Sequence, residues 1–441
     1  MPAKTLDDWL SYIASIHPDE IELGLSRVKA VWDRLAIPSI AKYTVLVAGT
    51  NGKGSTAFTL ARLLMKSGYR VGVYSSPHIS RYNERIQVNG LPLCDAEIVS
   101  GFTAIDKARE DVALTYFEFG TLAAFSALAA HTLDVTILEV GLGGRLDAVN
   151  IIDADLAIVT SVALDHVDWL GDDLEQIGYE KAGIIKANSV ALLGECLPLS
   201  VANHARDIGC PAFTYGSEFN VVDGVFHGNL LACSALSESK VETAGKGVLE
   251  VSSSVRWDMP KSLLPDNNVA LAAQAYLMLD AQLGLINSEQ RSRTILQENL
   301  ASFSISGRME QLENYPNLYL DVCHNPHAAN YISSILSRYN KKVVAVFSAL
   351  EDKDIEGLVA NMSASVDLWL IAPLSVPRAA SIGRLESAVG QHTKDMLSFA
   401  DLNAAMNESR RYISEDNLVL VFGSFFVVEA AKAFYSEKTD L

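Results

Sequence analysis

Residues 45–78 read VLVAGTNGKGSTAFTLARLLMKSGYRVGVYSSPH, and the fold turns on this stretch. The apolar run at its start predicts a buried strand, and the segment from Lys53 onward predicts a helix. Between them lies a glycine-rich turn, Gly49 to Ser55. Without Cβ atoms in the way, the N–H groups of such a turn converge on oxygen atoms. The N-terminus of the following helix adds partial positive charge. A nucleotide phosphate is therefore expected on Thr50, Asn51, Gly52, Lys53, Gly54 and Ser55, with Lys53 supplying a full charge for the outer phosphates. A hydroxyl of Ser55 or Thr56 can reach a magnesium ion. In the commoner phosphate loop the hydroxyl residue follows the lysine directly, whereas here Gly54 intervenes. Taken alone, the loop suits a switch, a kinase or a ligase.

Outward from this loop, residues 40–190 alternate apolar runs (YTVLVAG, RVGVYSS, DVTILEVG, ADLAIVTSV) with longer amphipathic segments. That pattern predicts an α/β fold, a parallel sheet with helices on both faces. Residues 191–260 hold short β-prone pieces and turns, and read as a small sheet appended to this domain. A helix of small residues (NNVALAAQAYLMLDAQLG) and a polar stretch near 287–300 follow. Alternation then resumes in NLYLDVCHN, KKVVAVFSAL, VDLWLIAPL and NLVLVFGSF, which predicts a smaller Rossmann-like α/β domain. The expected division is 1–300 and 301–441. Near the N-terminus Leu6, Trp9, Leu10 and Ile13 recur at helical spacing, and Thr5 with Asp8 forms a capping box; this reads as a helix, not a signal peptide.

The 441 residues carry a formal charge of −18. Nucleic-acid backbones demand clustered Lys and Arg, so no nucleic-acid partner is expected. Any anionic substrate must be met by a few local cations. Five cysteines, odd in number and without a CxxC pair, point away from disulfides and zinc and toward a reducing compartment. No apolar run reaches the roughly 18 residues of a spanning helix. The expectation is a cytoplasmic protein without a membrane partner.

With its inserted glycine, GTNGKGS resembles the phosphate loop of the Mur ligase superfamily, in particular that of the folylpolyglutamate synthases. Three further stretches carry the resemblance: SSPH at 75–78, LEVGLGGRLDAVN at 138–150, and TSVALDHVDWLG at 160–171 followed by EKAGIIK at 180–186. Taken singly each has a plainer reading. Glu139 is then a strand-end carboxylate, His166 a helix-cap or core histidine, and Lys181 one half of a solvated pair with Glu180. The resemblance implies ATP in the loop and magnesium at two sites, held by Ser76, Glu139 and His166 together with Ser55. It also implies a CO2 adduct on Lys181. Magnesium favours hard oxygen ligands. A carbamate is an anionic oxygen donor where an ammonium would be repelled, and a desolvated lysine loses its proton readily, as CO2 addition requires.

The same resemblance implies a pteroate pocket at Glu22, Leu23, Gly24 and Leu25, at Thr115, Tyr116, Phe117 and Glu118, and at Leu146, Asp147 and Ala148. Composition alone assigns Leu23, Leu25 and Phe119 to packing. Tyr116 and Phe117 suit a flat pterin, Glu118 suits its ring N–H donors, and neighbouring Arg145 suits the reacting carboxylate. In the second domain, SGRME at 306–310 and LDVCHNPHAA at 320–329 match the family. They imply Arg308 on phosphate and Asp321 on the nucleotide, with His324 nearby as a catalytic group. Without the resemblance, Asp321 reads as a turn aspartate capping a helix that starts around His327. Two departures stand out: Ser306 replaces a proline usual in the family, and in LPDNNVA the family's adenine-contacting asparagine aligns with Asp266, next to Asn267.

What the resemblance implies is an ATP-dependent amide ligase. A substrate carboxylate takes the γ-phosphate to give an acyl phosphate, Lys53 and Arg308 meet the charge, and the amine of L-glutamate then displaces phosphate. The acceptors would be 7,8-dihydropteroate and folates already carrying glutamate. Folylpolyglutamate synthesis alone, and a nucleotide-controlled switch, are the alternatives. Cell-wall Mur ligases fit less well, since no uridine-nucleotide domain precedes the loop. The family is usually monomeric, and a monomer is expected.

Overall fold

The opening stretch folds as a strand, a turn and a helix. In the computed structural model, which describes residues 5–19, 21–233, 249–284, 288–301, 303–315 and 317–436, strand β1 (Tyr43–Ala48) has every residue after Tyr43 buried. It runs inside an eight-stranded sheet with β2 (Val71–Tyr74), β3 (Ile86–Val88), β4 (Leu91–Pro92), β5 (Val135–Glu139), β6 (Leu156–Val159), β7 (Val190–Leu193) and β8 (Ala212–Thr214). The order is β4-β3-β2-β5-β1-β6-β7-β8. All pairings are parallel except β2–β3 and β3–β4. A parallel strand covered on both faces reads as a continuous apolar run, which is why β1, β5 and β6 were visible in the sequence.

The chain divides into two compact units, Met1–Phe303 and Ser304–Leu441. In the first, α1 (Leu6–Ala14), α2 (Ser26–Leu35), α3 (Lys53–Lys66), α4 (Asp95–Arg109) and α5 (Tyr116–Ala129) surround the sheet. The Thr5–Asp8 capping box forms, and Trp9, Phe102 and Phe119 pack together in the core. Shorter helices follow, α6 (Val167–Leu170), α7 (Leu174–Ala182) and α8 (Leu199–Asp207), then α9 (Asp266–Leu283) and α10 (Glu289–Leu300). Helix α9 is buried continuously from Asn268 to Asp280. Its small residues allow close packing on α3, and its polar residues find partners: Tyr69 donates to Asp280 (2.5 Å) and Ser67 to Tyr276 (2.9 Å).

One expectation is corrected. Residues 191–214 do not belong to an appended sheet: β7 and β8 extend the main sheet, with α8 between them. Only β9 (Asn220–Val222), β10 (Val225–Cys233) and β11 (Leu249–Asp258) form the small sheet. Edge strands of three or four residues carry too little periodicity to be assigned by pattern. The small sheet is fixed to α9 by Gln274, whose amide accepts from Asn229 N and donates to Asn229 O, each at 2.9 Å. The polar stretch near 287–300 contains helix α10, whose buried stripe of Ser292, Ile295, Leu296 and Leu300 was masked by its charge.

The second unit is a six-stranded sheet: β12 (Glu310–Gln311), β13 (Leu318–Asp321), β14 (Lys342–Phe347), β15 (Leu368–Ile371), β16 (Met396–Ser398) and β17 (Asn417–Phe422). Its order is β12-β13-β17-β14-β15-β16, parallel apart from β12. Among the described residues no helix is long and apolar enough to cross a membrane.

Candidate active site

Ligand crevices of open parallel sheets lie at the C-terminal strand ends. Here the ends of β1, β5 and β6 bring together the glycine turn, Glu139 and the pair Thr160–Ser161. Val47 pairs with Glu139 across β1–β5, and Ala48 with Val159 across β1–β6. The turn is braced from β6. Thr50 N donates to Ser161 O (2.8 Å), Asn51 N donates to Ser161 Oγ (2.9 Å), and Thr160 Oγ1 donates to Asn51 O (2.6 Å). The Thr50 hydroxyl donates to Ala163 O (3.1 Å) and accepts from Ala163 N (3.0 Å). Gly52 adopts φ +87°, and a Cβ there would run into the buried side chain of Asn268. Lys53 Nζ donates to Gly49 O (2.9 Å) and Thr50 O (3.3 Å) within the loop. Gly54 and Ser55 open α3 and are buried.

Ser76 and Glu139 are brought together, with Ser76 N donating to the Glu139 carboxylate at 3.4 Å. Glu139 is 5% exposed. His166 is exposed, at φ +52°, and makes no side-chain cap to α6. It is carried on the segment that Thr50 holds through Ala163. Among the described residues, the one cluster of three His, Asp or Glu ligand atoms within 4.8 Å is His17, Asp19 and Glu22. His17 lies between the other two, with Nδ1 at the Asp19 backbone and Nε2 at the Glu22 carboxylate (3.0 Å), and Glu22 also pairs with Arg27.

Lys181 is not half of a solvated pair. It is 4% exposed, and burial, reinforced by the charge of Lys53, pushes its amine down to about 7 against the opposing pull of Asp165 and Asp147. Glu180 instead binds Arg145, through Nη2 at 2.8 Å and Nε at 3.2 Å. Asp147 is buried and pushed up to about 6, although it accepts from Leu142 N (2.8 Å) and Val149 N (2.9 Å) and feels Lys53. Lys53, Lys181 and Asp147 are thus mutually within electrostatic reach.

The three stretches assigned to a pterin pocket converge. Gly24 N donates to Leu146 O (3.3 Å), and Arg27 joins Glu22 to Glu118. Phe117 covers Gly141, where a Cβ would meet its ring, and stacks at a tilt on Tyr74. Thr115 caps α5, Tyr116 is half-buried, and Ala148 is buried; Leu23, Leu25 and Leu146 are half-buried. Glu118 is largely engaged, accepting from Thr115 N (2.9 Å) and from Arg27 Nη2 (2.9 Å) and Nε (3.3 Å). Arg145 is held by Glu180 over the Tyr179 ring, with its side chain 41% exposed.

Asp266 opens α9, while Asn267 bridges strand ends, donating to Thr160 O (3.1 Å) and accepting from Glu195 N (3.2 Å). In the second unit, Asp321 accepts from Met309 N and Cys323 N, both at 2.7 Å, and burial raises its carboxyl against the charge of Arg308. It fixes the turn bearing Arg308, whose guanidinium lies over Phe425 (5.5 Å). The helix from Pro326 is capped by Asn325, not by Asp321. His324 Nδ1 lies 2.9 Å from Val322 O.

Reading the sequence overlooked Thr160, Ser161, Asn268 and Arg27, and the pair His78–Arg85. Arg85 Nε donates to His78 Nδ1 (2.8 Å). Thr160 and Ser161 had a local signal, two hydroxyls closing a buried strand; Asn268 and Arg27 had none.

Residues 47–256 match the Mur ligase middle domain and residues 307–425 the Mur ligase glutamate ligase domain. The chain is 40% identical over 429 residues to the dihydrofolate synthase/folylpolyglutamate synthase of Escherichia coli K12, covering 97% of this chain and 94% of that protein. Identity to the Haemophilus influenzae protein of the same name is 36%, covering 96% of each. Among solved structures it resembles E. coli FolC in complex with DHPP and ADP (TM-score 0.86, 39% identity, 98% of each chain). A bifunctional folylpolyglutamate synthase/dihydrofolate synthase with Mn, AMPPNP and L-glutamate bound is similar too (TM-score 0.82, 39% identity, 98% of each chain).

Proposed function

Because the chain belongs to the dihydrofolate synthase/folylpolyglutamate synthase family of Mur-type ligases, we propose that it uses ATP to join L-glutamate to 7,8-dihydropteroate and to folates already bearing glutamate. The observation that carries this reading is the glycine turn at Gly49–Ser55 sharing one end of the sheet with Glu139, buried Lys181 and buried Asp147. A switch needs the turn alone; it has no use for a lysine kept near neutrality beside a second cation.

The residues fit the groups the family uses. Gly49 and Gly52 stand where side chains would collide with Thr160 and Asn268. With Thr50 N and Asn51 N taken by Ser161, the N–H groups proposed for phosphate are those from Gly52 to Ser55 at the start of α3. Glu139, Ser76, Ser55 and His166 are proposed to hold divalent metal, which would polarise phosphoryl oxygens when bound. A lysine pushed to about 7 carries a large neutral fraction at neutral pH, the form that adds CO2. We propose a carbamate there, as a further oxygen donor. Two metal sites and a monomeric state belong to the same reading.

The chain's own groups then divide the work. Lys53 exchanges its loop carbonyls for phosphate oxygens as charge moves. Tyr116 and Phe117 offer the pterin an aromatic wall, and Asp147, positioned by two backbone N–H groups, offers it an acceptor. In the second unit Arg308 takes nucleotide phosphate charge, on the turn that Asp321 fixes. The carboxylate, once phosphorylated, has a leaving group that the glutamate amine can displace, which a free carboxylate lacks. ADP release with purified protein, ATP and magnesium tests the reading: release should need both L-glutamate and a pterin acid. Turnover without either would favour a switch. Carbon-13 bicarbonate should give a carbamate resonance that Lys181→Ala removes.

A further inference from the structure

Arg308 lies between two residues of positive φ, Gly307 at +66° and Met309 at +43°. Its own N–H donates to Ile305 O (3.1 Å), so residues 305–308 form a β-turn. Gly307 is the third residue of that turn, and Ser306, the second, does not have a positive φ; the turn is therefore type II. In this type the second position favours proline, whose ring fixes φ, and here it holds an exposed serine. Met309 is buried in a left-handed conformation that side chains of its kind rarely adopt. Backbone of this sort persists only where the surrounding contacts over-determine it.

On the C-terminal side of Arg308 the segment is held by Asp321, which accepts from Met309 N at 2.7 Å. On the N-terminal side an ion pair holds it. The Glu310 carboxylate reaches back over the turn, and its Oε2 accepts from buried Gly307 N (2.8 Å) and from Ser306 Oγ (3.3 Å). Its Oε1 accepts from Lys432 Nζ at 2.7 Å, and the same ammonium donates to Ser306 Oγ at 2.5 Å. The lysine and the glutamate are only 25% and 18% exposed, which shields the pair in part from water. Lys432 belongs to the helix Phe425–Ser436, whose first residue lies under the Arg308 guanidinium at 5.5 Å. Seven residues apart, Phe425 and Lys432 share one helix face. That face fixes the guanidinium with one side chain and the turn beneath it with another.

The bond to Gly307 N has a particular consequence. Type I and type II turns differ chiefly by a flip of their central peptide, which here is the one joining Ser306 to Gly307. A flip would carry Gly307 N away from Glu310 and leave a buried N–H without its acceptor. It would also swing Arg308, and the bidentate match of an arginine to phosphate depends on where its planar edge points. We propose that Lys432 is a positioning residue for Arg308: by binding Ser306 and Glu310 together it locks the turn in the form that presents the guanidinium to nucleotide phosphate. Proline at 306 would supply that constraint covalently; this chain supplies it with an ion pair. The inference rests on the reading of Arg308 as a nucleotide ligand given above.

Steady-state kinetics of the full chain test this. Lys432→Met should lower kcat/KM for ATP about tenfold, the lower end of what a charge-assisted contact is worth, with KM for L-glutamate and for dihydropteroate unmoved. Ser306→Pro added to Lys432→Met should recover most of the loss. In an Arg308→Gln chain, Lys432→Met should cost nothing further, because the residue it acts through is gone. A lysine that merely stabilised the fold would bring the same penalty in both backgrounds, and that result overturns the proposal. Unchanged ATP kinetics in Lys432→Met, or no recovery with proline, overturns it too. Ser306→Ala, which removes one hydroxyl from an exposed residue, guards against a lysine variant that fails to fold. It should lower kcat/KM for ATP about threefold, and an unchanged value counts equally against the proposal. If Arg308→Gln alone leaves ATP kinetics intact, the nucleotide reading of Arg308 fails and takes the positioning role with it. If that variant is impaired while Lys432→Met is silent, the positioning role fails alone.

Discussion

The Thr160 hydroxyl donates to the Asn51 carbonyl at 2.6 Å and occupies the space a side chain on Gly49 would need. One buried hydroxyl therefore both braces the phosphate turn and obliges residue 49 to be glycine. Thr160→Val keeps the shape and removes the donor. It should cost about 1–2 kcal/mol of stability and raise KM for ATP by roughly tenfold, as about 1.4 kcal/mol corresponds to. Urea melts and ATP titration check the two parts; an unchanged ATP KM would mean that the brace does not shape the nucleotide site.

Gly52→Ala should be more severe for binding. The φ of +87° strains any L residue by about 1–2 kcal/mol, and the new methyl also meets Asn268. ADP affinity by calorimetry should fall steeply while circular dichroism remains that of the folded protein. Adding Asn268→Ala relieves the collision but not the backbone strain, so the double variant should recover affinity only in part.

Arg27 and Glu118 form a largely buried pair, with Glu118 only 3% exposed. Arg27→Met leaves that carboxylate without its cation and should cost about 3 kcal/mol in urea unfolding. Glu118→Gln in the same background should restore much of the loss. Because Glu118 also accepts from Thr115 N, Glu118→Gln alone is expected to alter stability more than KM for dihydropteroate. The reverse outcome would return Glu118 to direct pterin contact.

Lys181 gives a pH signature. Its folded pKa of about 7 lies below the unfolded value near 10.5. Between these values the unfolded chain holds the extra proton, so this residue makes stability rise with pH. Below about pH 7 both states are charged and the penalty of burying the ammonium is complete. In carbon dioxide-free buffer, Lys181→Met should therefore stabilise the protein by the order of a few kcal/mol near pH 6. The advantage should fade as pH approaches 10.5, and a pH-independent difference between the two proteins would show that Lys181 is not buried as an amine.

Sequence by itself determined the strand–turn–helix at 45–66 and the two successive α/β sheets, because these depend on local period and glycine. That Glu139 and Lys181 serve one chemistry was implied by the family resemblance and not by any pattern. Which groups are occupied was decided only by the fold. Glu118, Arg145, Asn267 and Asp321 look like open polar contacts in one dimension, yet each is bound by a residue or backbone group brought to it by packing. The same closure seats Asn268 against Gly52. Which partners a polar group already holds is decided between segments tens of residues apart, where no local pattern records it.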